Sequence, residues 1–188
     1  ANDESLGMIV DQKTDQPADM NILTSNPAYL LILHRYVLAL PSDEQSKLLP
    51  PLECLMDIQR LIREASDGAT LLANARNIFE TYLKDNAQRK LPADCASSDM
   101  RNKLHQQFER ESDRLEKLSK SDPSTIRHAF DVTMTMALGY IERIGLKGFM
   151  ASTQYRYVLV LKRKEHQVLS MKAFKAVRLL GKGGFGQV

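Results

Sequence analysis

Apolar residues recur at spacings of three and four along residues 20–166, which is the pattern of helices that each bury one face. The first long helix is predicted to begin at Ser25 or Asn26, with Pro27 in its first turn, and to end at Pro41. Its apolar stripe is formed by Leu30, Leu33, Val37 and Leu40. The pattern therefore predicts a helical domain.

A second helix is predicted to begin at Ser42, with Gln45 at the capping-box position. The pair Pro50–Pro51 is expected to kink or restart it, because proline removes a helix hydrogen bond. The apolar face then continues through Leu52, Leu55, Met56, Gln59 and Ile62.

Asp67 can cap the next helix, whose apolar positions predict that it is buried and faces the core. Its stripe comprises Leu71, Ala75, Ile78 and Tyr82, widened by Leu72, Phe79 and Leu83. A polar loop is predicted over residues 86–96, and Ser97 or Ser98 begins another helix.

The densely charged stretch 101–120 is expected to lie on the surface. Its apolar contacts are Leu104, Phe108, Leu115 and Leu118. Asp122–Pro123 predicts the start of the most regular helix, whose stripe is Ile126, Phe130, Met134, Ala137, Ile141 and Ile144. Gly145 and Gly148 are expected to bracket a turn, and a last helix is predicted from Ser152 to about Glu165.

The chain ends on a glycine-rich motif, G-x-G-x-x-G-x-V, preceded by the strand-like run Phe174–Leu180. Three glycines at this spacing let backbone N–H groups approach phosphate oxygens, as in the nucleotide-covering loop of protein kinases. The candidate nucleotide-binding residues are Gly181, Lys182, Gly183, Gly184, Phe185, Gly186 and Val188. A dinucleotide-binding loop or a glycine-rich tail that binds nothing are the alternatives.

Composition narrows the class of protein. A chain of 188 residues with 43% hydrophobic and 26% charged residues is typical of a soluble globular domain with tails. A net charge of +3 is too small to favour nucleic acid, and we expect no such partner. Two cysteines, Cys54 and Cys95, make no disulfide framework and favour a reducing compartment. We expect neither a signal peptide nor a membrane span, because no basic-then-apolar stretch opens the sequence and no apolar run is long enough to cross a bilayer.

Charge is unevenly distributed. Residues 1–19 are acidic and are expected to form a disordered leader, whereas residues 156–182 carry eight basic residues against one acidic residue. This basic run is open to three interpretations: a contact with acidic lipid, a calmodulin-like target, or a solvated helix end.

The remaining polar clusters predict no metal site. The four histidines, His34, His105, His128 and His166, are scattered, and the cysteines lack paired-ligand spacing. Met134, Met136 and Met150 form either an adaptable binding surface or, at their helical spacing, ordinary core.

Two further stretches carry a family resemblance. Residues 75–83, ARNIFETYL, resemble the mid-domain helix of regulator-of-G-protein-signalling (RGS) folds, and residues 148–155, GFMASTQY, resemble the segment that ends such domains. An RGS-homology domain that runs into LLGKGGFGQV is similar to the layout of G-protein-coupled receptor kinases. The resemblance implies an all-α, RGS-like bundle of about nine helices over 20–168. A linker and a strand-like start of a kinase N-lobe would follow over 169–188.

The resemblance also implies a function. A parent kinase of this family, at the cytoplasmic face of the plasma membrane, uses ATP and Mg²⁺ to phosphorylate Ser/Thr residues of activated heptahelical receptors. The RGS-homology region scaffolds its own kinase domain. We expect the chain itself to be non-catalytic and to need no cofactor, since the catalytic lysine and aspartates would follow Val188.

The alternative expectation is a Gα-binding module, with Arg101 and Glu109 as candidate contacts. The loop Arg89–Cys95 has no asparagine and the chain has no tryptophan, and both departures from RGS domains count against GTPase acceleration. A homodimer through an exposed helical face is a further expectation.

Overall fold

The computed structural model describes residues 19–64, 68–116, 123–165, 182–183 and 186–187. Several features predicted above lie outside these residues: the leader up to residue 18, the positions Asp67, Leu118, Asp122 and His166, and the strand-like run Phe174–Leu180.

The described residues are predominantly helical, which confirms the predicted all-α class. The helices are α1 (Met20–Ser25), α2 (Pro27–Leu38), α3 (Ser42–Arg63), α4 (Gly68–Ile78), α5 (Ser98–Glu116), α6 (Pro123–Ile141), α7 (Lys147–Met150) and α8 (Thr153–Glu165). A π-helical turn follows α4 (Phe79–Leu83) and another follows α6 (Glu142–Leu146). Two short strands, β1 (Lys182–Gly183) and β2 (Gly186–Gln187), pair with each other.

The first helices begin at side-chain caps. Asp19 Oδ1 accepts a hydrogen bond from the Ile22 amide at 2.8 Å, and Asn26 Oδ1 accepts one from the Ala28 amide at 2.9 Å. Pro27 is the first residue of α2, where its missing N–H costs no intrahelical bond. The predicted start at Asn26 is therefore confirmed.

Helix α3 differs from its prediction. It runs unbroken for 22 residues through Pro50 and Pro51, so the expected restart is wrong. Leu48 before the prolines and Leu52 after them are both buried in the same cluster, and this packing outweighs the cost of proline inside a helix. No capping box forms, because the N-cap is Pro41, which has no N–H; Gln45 donates to the Leu38 carbonyl instead.

Two hydrophobic clusters make up the core, and α3 and α6 contribute to both. The terminal cluster joins α1, α2, α7 and α8, with buried residues Met20, Leu23, Tyr29, Leu30, Leu33, Val37, Leu48, Leu52, Ile141, Phe149, Tyr155 and Val158. The central cluster joins α4, its π-turn, the following loop and α5, with Cys54, Ile58, Leu71, Ala75, Tyr82, Leu91, Phe108 and Phe130 among its members.

The predicted apolar stripes agree with most of the observed burial. Every stripe position from Leu71 to Leu83 is buried, as are Phe130, Ala137 and Ile141 of α6. Ile144 is an exception, because its side chain is 43% exposed. It lies within the π-helical turn Glu142–Leu146, whose wider spacing rotates it away from the stripe of α6. Met134, Met136 and Met150 are half-buried and pack against the edges of the two clusters.

The expected turn between Gly145 and Gly148 is also wrong. Gly145 lies in the π-helical turn and Gly148 in α7, so helical backbone continues through both. A Cβ at Gly145 would lie 3.1 Å from Leu48 Cδ2, and a Cβ at Gly148 would lie 2.5 Å from Tyr36 Oη. These glycines permit close packing of neighbouring helices. The chain turns later, where Ser152 Oγ accepts from the Tyr155 amide and starts α8.

Candidate functional site

The glycine-rich motif contains a small antiparallel hairpin. Lys182 pairs with Gln187, and Gly183 pairs with Gly186. Two glycines thus lie directly opposite each other, and the missing Cβ atoms leave this backbone open to close approach by a phosphate. The other candidate residues of the motif, Gly181, Gly184, Phe185 and Val188, lie outside the described residues.

A second candidate site is a groove of about 190 Å³ where the π-turn after α4 meets the first turns of α5. It is lined by Phe79, Leu83, Lys84, Asp85, Arg101, Asn102 and His105. The ring of Phe79 stacks on that of His105, with centroids 5.0 Å apart, and on that of Phe108 at 5.3 Å. The groove therefore has an aromatic wall and a charged rim.

Arg101 is the most constrained side chain of this groove. It is 5% exposed, although its helix was predicted to lie on the surface. Its guanidinium donates to the Ala96 carbonyl, to Ser98 Oγ at 3.1 Å and to Asp85 Oδ1 at 3.1 Å. These bonds fasten both ends of the loop 84–97 to α5, and the bonds from Arg101 and then Lys90 lower the pKa of Asp85.

Glu109 lies on the same helix, two turns further along. Its side chain is 59% exposed, and its carboxylate is 4.0 Å from His105 Nδ1. Arg101, His105 and Glu109 follow one another at intervals of four and so share one face of α5. Of the two predicted Gα contacts, Glu109 is accessible to a partner, whereas the surface of Arg101 is almost entirely covered.

The loop 84–97 is held from its other side by α3. Arg89 of the loop donates to Glu53 at 3.0 Å, and Tyr82, in the π-turn that leads into the loop, donates to Asp57 at 2.7 Å. Burial, then the bond to Asp57, raises the pKa of Tyr82. Leu91 inserts into the central cluster with 1% of its surface exposed. The loop is thus tied to the bundle on both sides.

Sequence reasoning missed most of the groove. Lys84, Asp85, Asn102 and His105 were not selected, because nothing in a single sequence places the end of one helix beside the start of the next. The spacing of four between Arg101, His105 and Glu109 is the one signal that could have identified His105.

Both cysteines are free and buried in the central cluster. Burial raises the pKa of the Cys95 thiol to about 12 and also raises that of Cys54, so neither forms a thiolate readily. Within the described part of the chain, no group of three or more His, Cys, Asp or Glu side chains could hold a metal ion. No helix among the described residues is both long and apolar enough to cross a bilayer.

Neither models of known protein families nor curated proteins match this sequence.

Proposed function

We propose that this chain is the regulatory RGS-homology region of a receptor Ser/Thr kinase. In this proposal, residues 20–168 form the helical domain, and residues 169–188 form a linker and the start of the kinase domain. The observation that carries the proposal is the hairpin at Lys182–Gln187, which pairs Gly183 with Gly186 within a kinase-like motif and follows a helical domain. The motif comprises Gly181, Lys182, Gly183, Gly184, Phe185, Gly186 and Val188.

The glycine-rich motif fits the phosphates of ATP because its paired glycines carry no side chain. Bound ATP, with Mg²⁺, supplies the phosphoryl group that a kinase transfers to Ser/Thr of an activated heptahelical receptor. The contribution of this chain would be backbone donors over the phosphates. The H-R-D and D-F-G motifs, which hold the catalytic groups of protein kinases, do not occur in its sequence.

A scaffolding role requires that the end of the helical domain be fixed. Glu165, the last residue of α8, accepts hydrogen bonds from Tyr29 Oη at 2.6 Å and from Asn26 Nδ2 at 2.8 Å. Asn26 also caps α2, so one residue joins the beginning of the domain to its end. The end of α8 at Glu165 therefore has a defined position, which supports the proposal.

Isothermal titration calorimetry tests this role. The chain is titrated into the catalytic domain of a G-protein-coupled receptor kinase that lacks its own RGS-homology domain. We expect saturable binding with a Kd of about 1 to 100 μM, the strength of a small interdomain interface. An unrelated Ser/Thr kinase domain serves as the control. Absence of heat with the receptor kinase, or equal heat with both kinases, would contradict the proposal.

The groove favours a second candidate function, a Gα-binding module that sequesters the G protein. The structure brings together the end of the α4 helix and the start of α5, and the accessible carboxylate of Glu109 lies on the face of α5 that includes groove residues Arg101 and His105. A partner that contacts both helices would contact this face.

Glu109→Lys tests the second function without disturbing the core, since its side chain is exposed. Binding to Gα in the GDP–aluminium-fluoride state is measured alongside single-turnover GTP hydrolysis. We expect Glu109→Lys to weaken binding at least about tenfold through charge reversal. The matched variant Glu142→Lys, exposed beyond α6, should bind normally. Faster hydrolysis would make the chain a GTPase accelerator, and absence of binding to every Gα class would exclude the module.

A further inference from the structure

The outward face of α8 exposes apolar side chains between cations. Arg156, Tyr157, Val160 and Lys164 are all exposed, and their spacing places them on one face of the helix. Tyr157 is 66% exposed, more than any other large hydrophobic side chain that the structure describes, and Val160 is 42% exposed. The opposite face of α8 buries Tyr155 and Val158 in the terminal cluster.

The charge of this face is positive. Arg163 is half-buried beside it, and Lys162 and Arg163 directly precede Lys164 in the last turn of α8. Glu165 is the single acidic residue of α8, and its carboxylate is engaged by Tyr29 and Asn26. The exposed cations Arg156 and Lys164 therefore have no competing carboxylate on their own helix.

We propose that this α8 face, formed by Arg156, Tyr157, Val160 and Lys164, binds an anionic lipid surface. The tyrosine and the valine would lie at the headgroup level, with the two cations against lipid phosphates and carboxylates on either side. Aromatic rings flanked by long basic side chains suit this interface, because each has an apolar body and a polar tip. The inference does not depend on the proposed function.

The shape of the face favours lipid over an acidic protein. The apolar contact is one residue wide, Tyr157 and Val160, on an outward helix surface, whereas helix-in-groove recognition needs several apolar anchors along two turns or more. The other apolar residues of α8, Leu159 and Leu161, already pack against the terminal cluster. Binding in a protein groove would require Leu159 and Leu161 to leave the terminal cluster, whereas binding to a membrane surface would not.

Co-sedimentation of the whole chain with vesicles tests the proposal. We expect binding to phosphatidylcholine vesicles that contain about 30% phosphatidylserine, and weak binding to phosphatidylcholine alone. Arg156→Gln with Lys164→Gln should lower the partition coefficient roughly 25-fold, about fivefold for each cation removed. Tyr157→Ala with Val160→Ala should lower it about fivefold through the loss of apolar contact.

A matched pair of variants separates this face from diffuse charge. Lys103→Gln with Arg110→Gln removes two exposed cations from α5 and should change binding by less than about twofold. The charge-conserving Arg156→Lys variant should bind normally, and all variants should keep the wild-type circular dichroism spectrum. Absence of binding to anionic vesicles would overturn the proposal. An equal loss of vesicle binding in the Arg156/Lys164 and Lys103/Arg110 double variants would also overturn it. Binding to Ca²⁺-loaded calmodulin without binding to vesicles would assign the face to an acidic protein instead.

Discussion

At the scale of single residues, Arg101 shows how a charged side chain can serve structure in a helix that appears polar from sequence. Two of its three partners, the Asp85 carboxylate and the Ala96 carbonyl, belong to the loop 84–97. The third is the hydroxyl of Ser98, the first residue of α5. A buried guanidinium is tolerated because these acceptors satisfy it. Arg101 could contact Gα directly only if the loop 84–97 moved away from α5.

Arg101→Lys should therefore destabilise the chain by about 1 to 3 kcal/mol, because one ammonium cannot serve the acceptors on both sides of the guanidinium. Chemical denaturation followed by circular dichroism measures this change. Lys103→Gln, on the exposed side of the same helix, provides the control and should lie within about 0.5 kcal/mol of wild type. Equal stability of Arg101→Lys and wild type would show that the buried hydrogen bonds contribute little.

Tyr29 makes a second residue-scale prediction, on pH. Burial, then the hydrogen bond to Glu165 and its negative charge, raises the pKa of Tyr29 from 10.0 to about 12. The folded state therefore holds this proton more tightly than the unfolded state does. The resulting stabilisation is complete below pH 10 and is lost as the pH rises to about 12.

Tyr29→Phe removes both the hydrogen bond and this pH dependence. We expect the variant to be less stable than wild type by about 1 kcal/mol at pH 8. The difference should shrink or reverse between pH 10 and about 12, as wild type loses the stabilisation that the protonated Tyr29 provides. Urea denaturation at several pH values measures both stabilities. A constant difference across this range would contradict the assigned role of Tyr29.

At the scale of elements, sequence patterns identified which residues face the core better than where backbone turns. The stripe from Leu71 to Leu83 was predicted in full, because spacing alone defines a helix face. Sequence alone predicts a kink or restart at Pro50–Pro51 and a turn between Gly145 and Gly148, yet no restart and no turn occurs, because helical backbone continues through both. In each case tertiary packing outweighs local helix propensity. Buried residues lie on both sides of the prolines, and Leu48 and Tyr36 closely approach Gly145 and Gly148.

Glycines in helices provide a matched test of this argument. Gly139 lies in α6, and an added Cβ there would meet nothing within 4 Å, so Gly139→Ala should stabilise the chain by about 0.5 to 1 kcal/mol. Gly148→Ala should destabilise it by about 1 kcal/mol, because the new Cβ displaces Tyr36 from its 5.3 Å contact with Phe149. Thermal unfolding gives both values, and stabilisation by Gly148→Ala would show that Tyr36 yields freely.

At the scale of the whole molecule, the two clusters make one helical domain whose ends are joined. Helices α3 and α6 contribute to both clusters, and the contact of Glu165 with Asn26 and Tyr29 ties the end of α8 to the start of α2. The all-α class followed from periodicity. The groove did not, because it arises where sequence-distant segments meet, and no pattern within one helix encodes that meeting.

We propose that this domain regulates the kinase domain of a receptor kinase, and the rate of receptor phosphorylation provides a direct test. Phosphate incorporation into an agonist-activated heptahelical receptor is measured with a receptor kinase catalytic domain that lacks its RGS-homology domain, at increasing concentrations of the chain. We expect the rate to rise with the concentration of the chain and to saturate, with the half-maximal rise at the Kd of the chain for the catalytic domain, about 1 to 100 μM. A rate that stays constant at concentrations well above this range would show that the domain does not regulate this kinase.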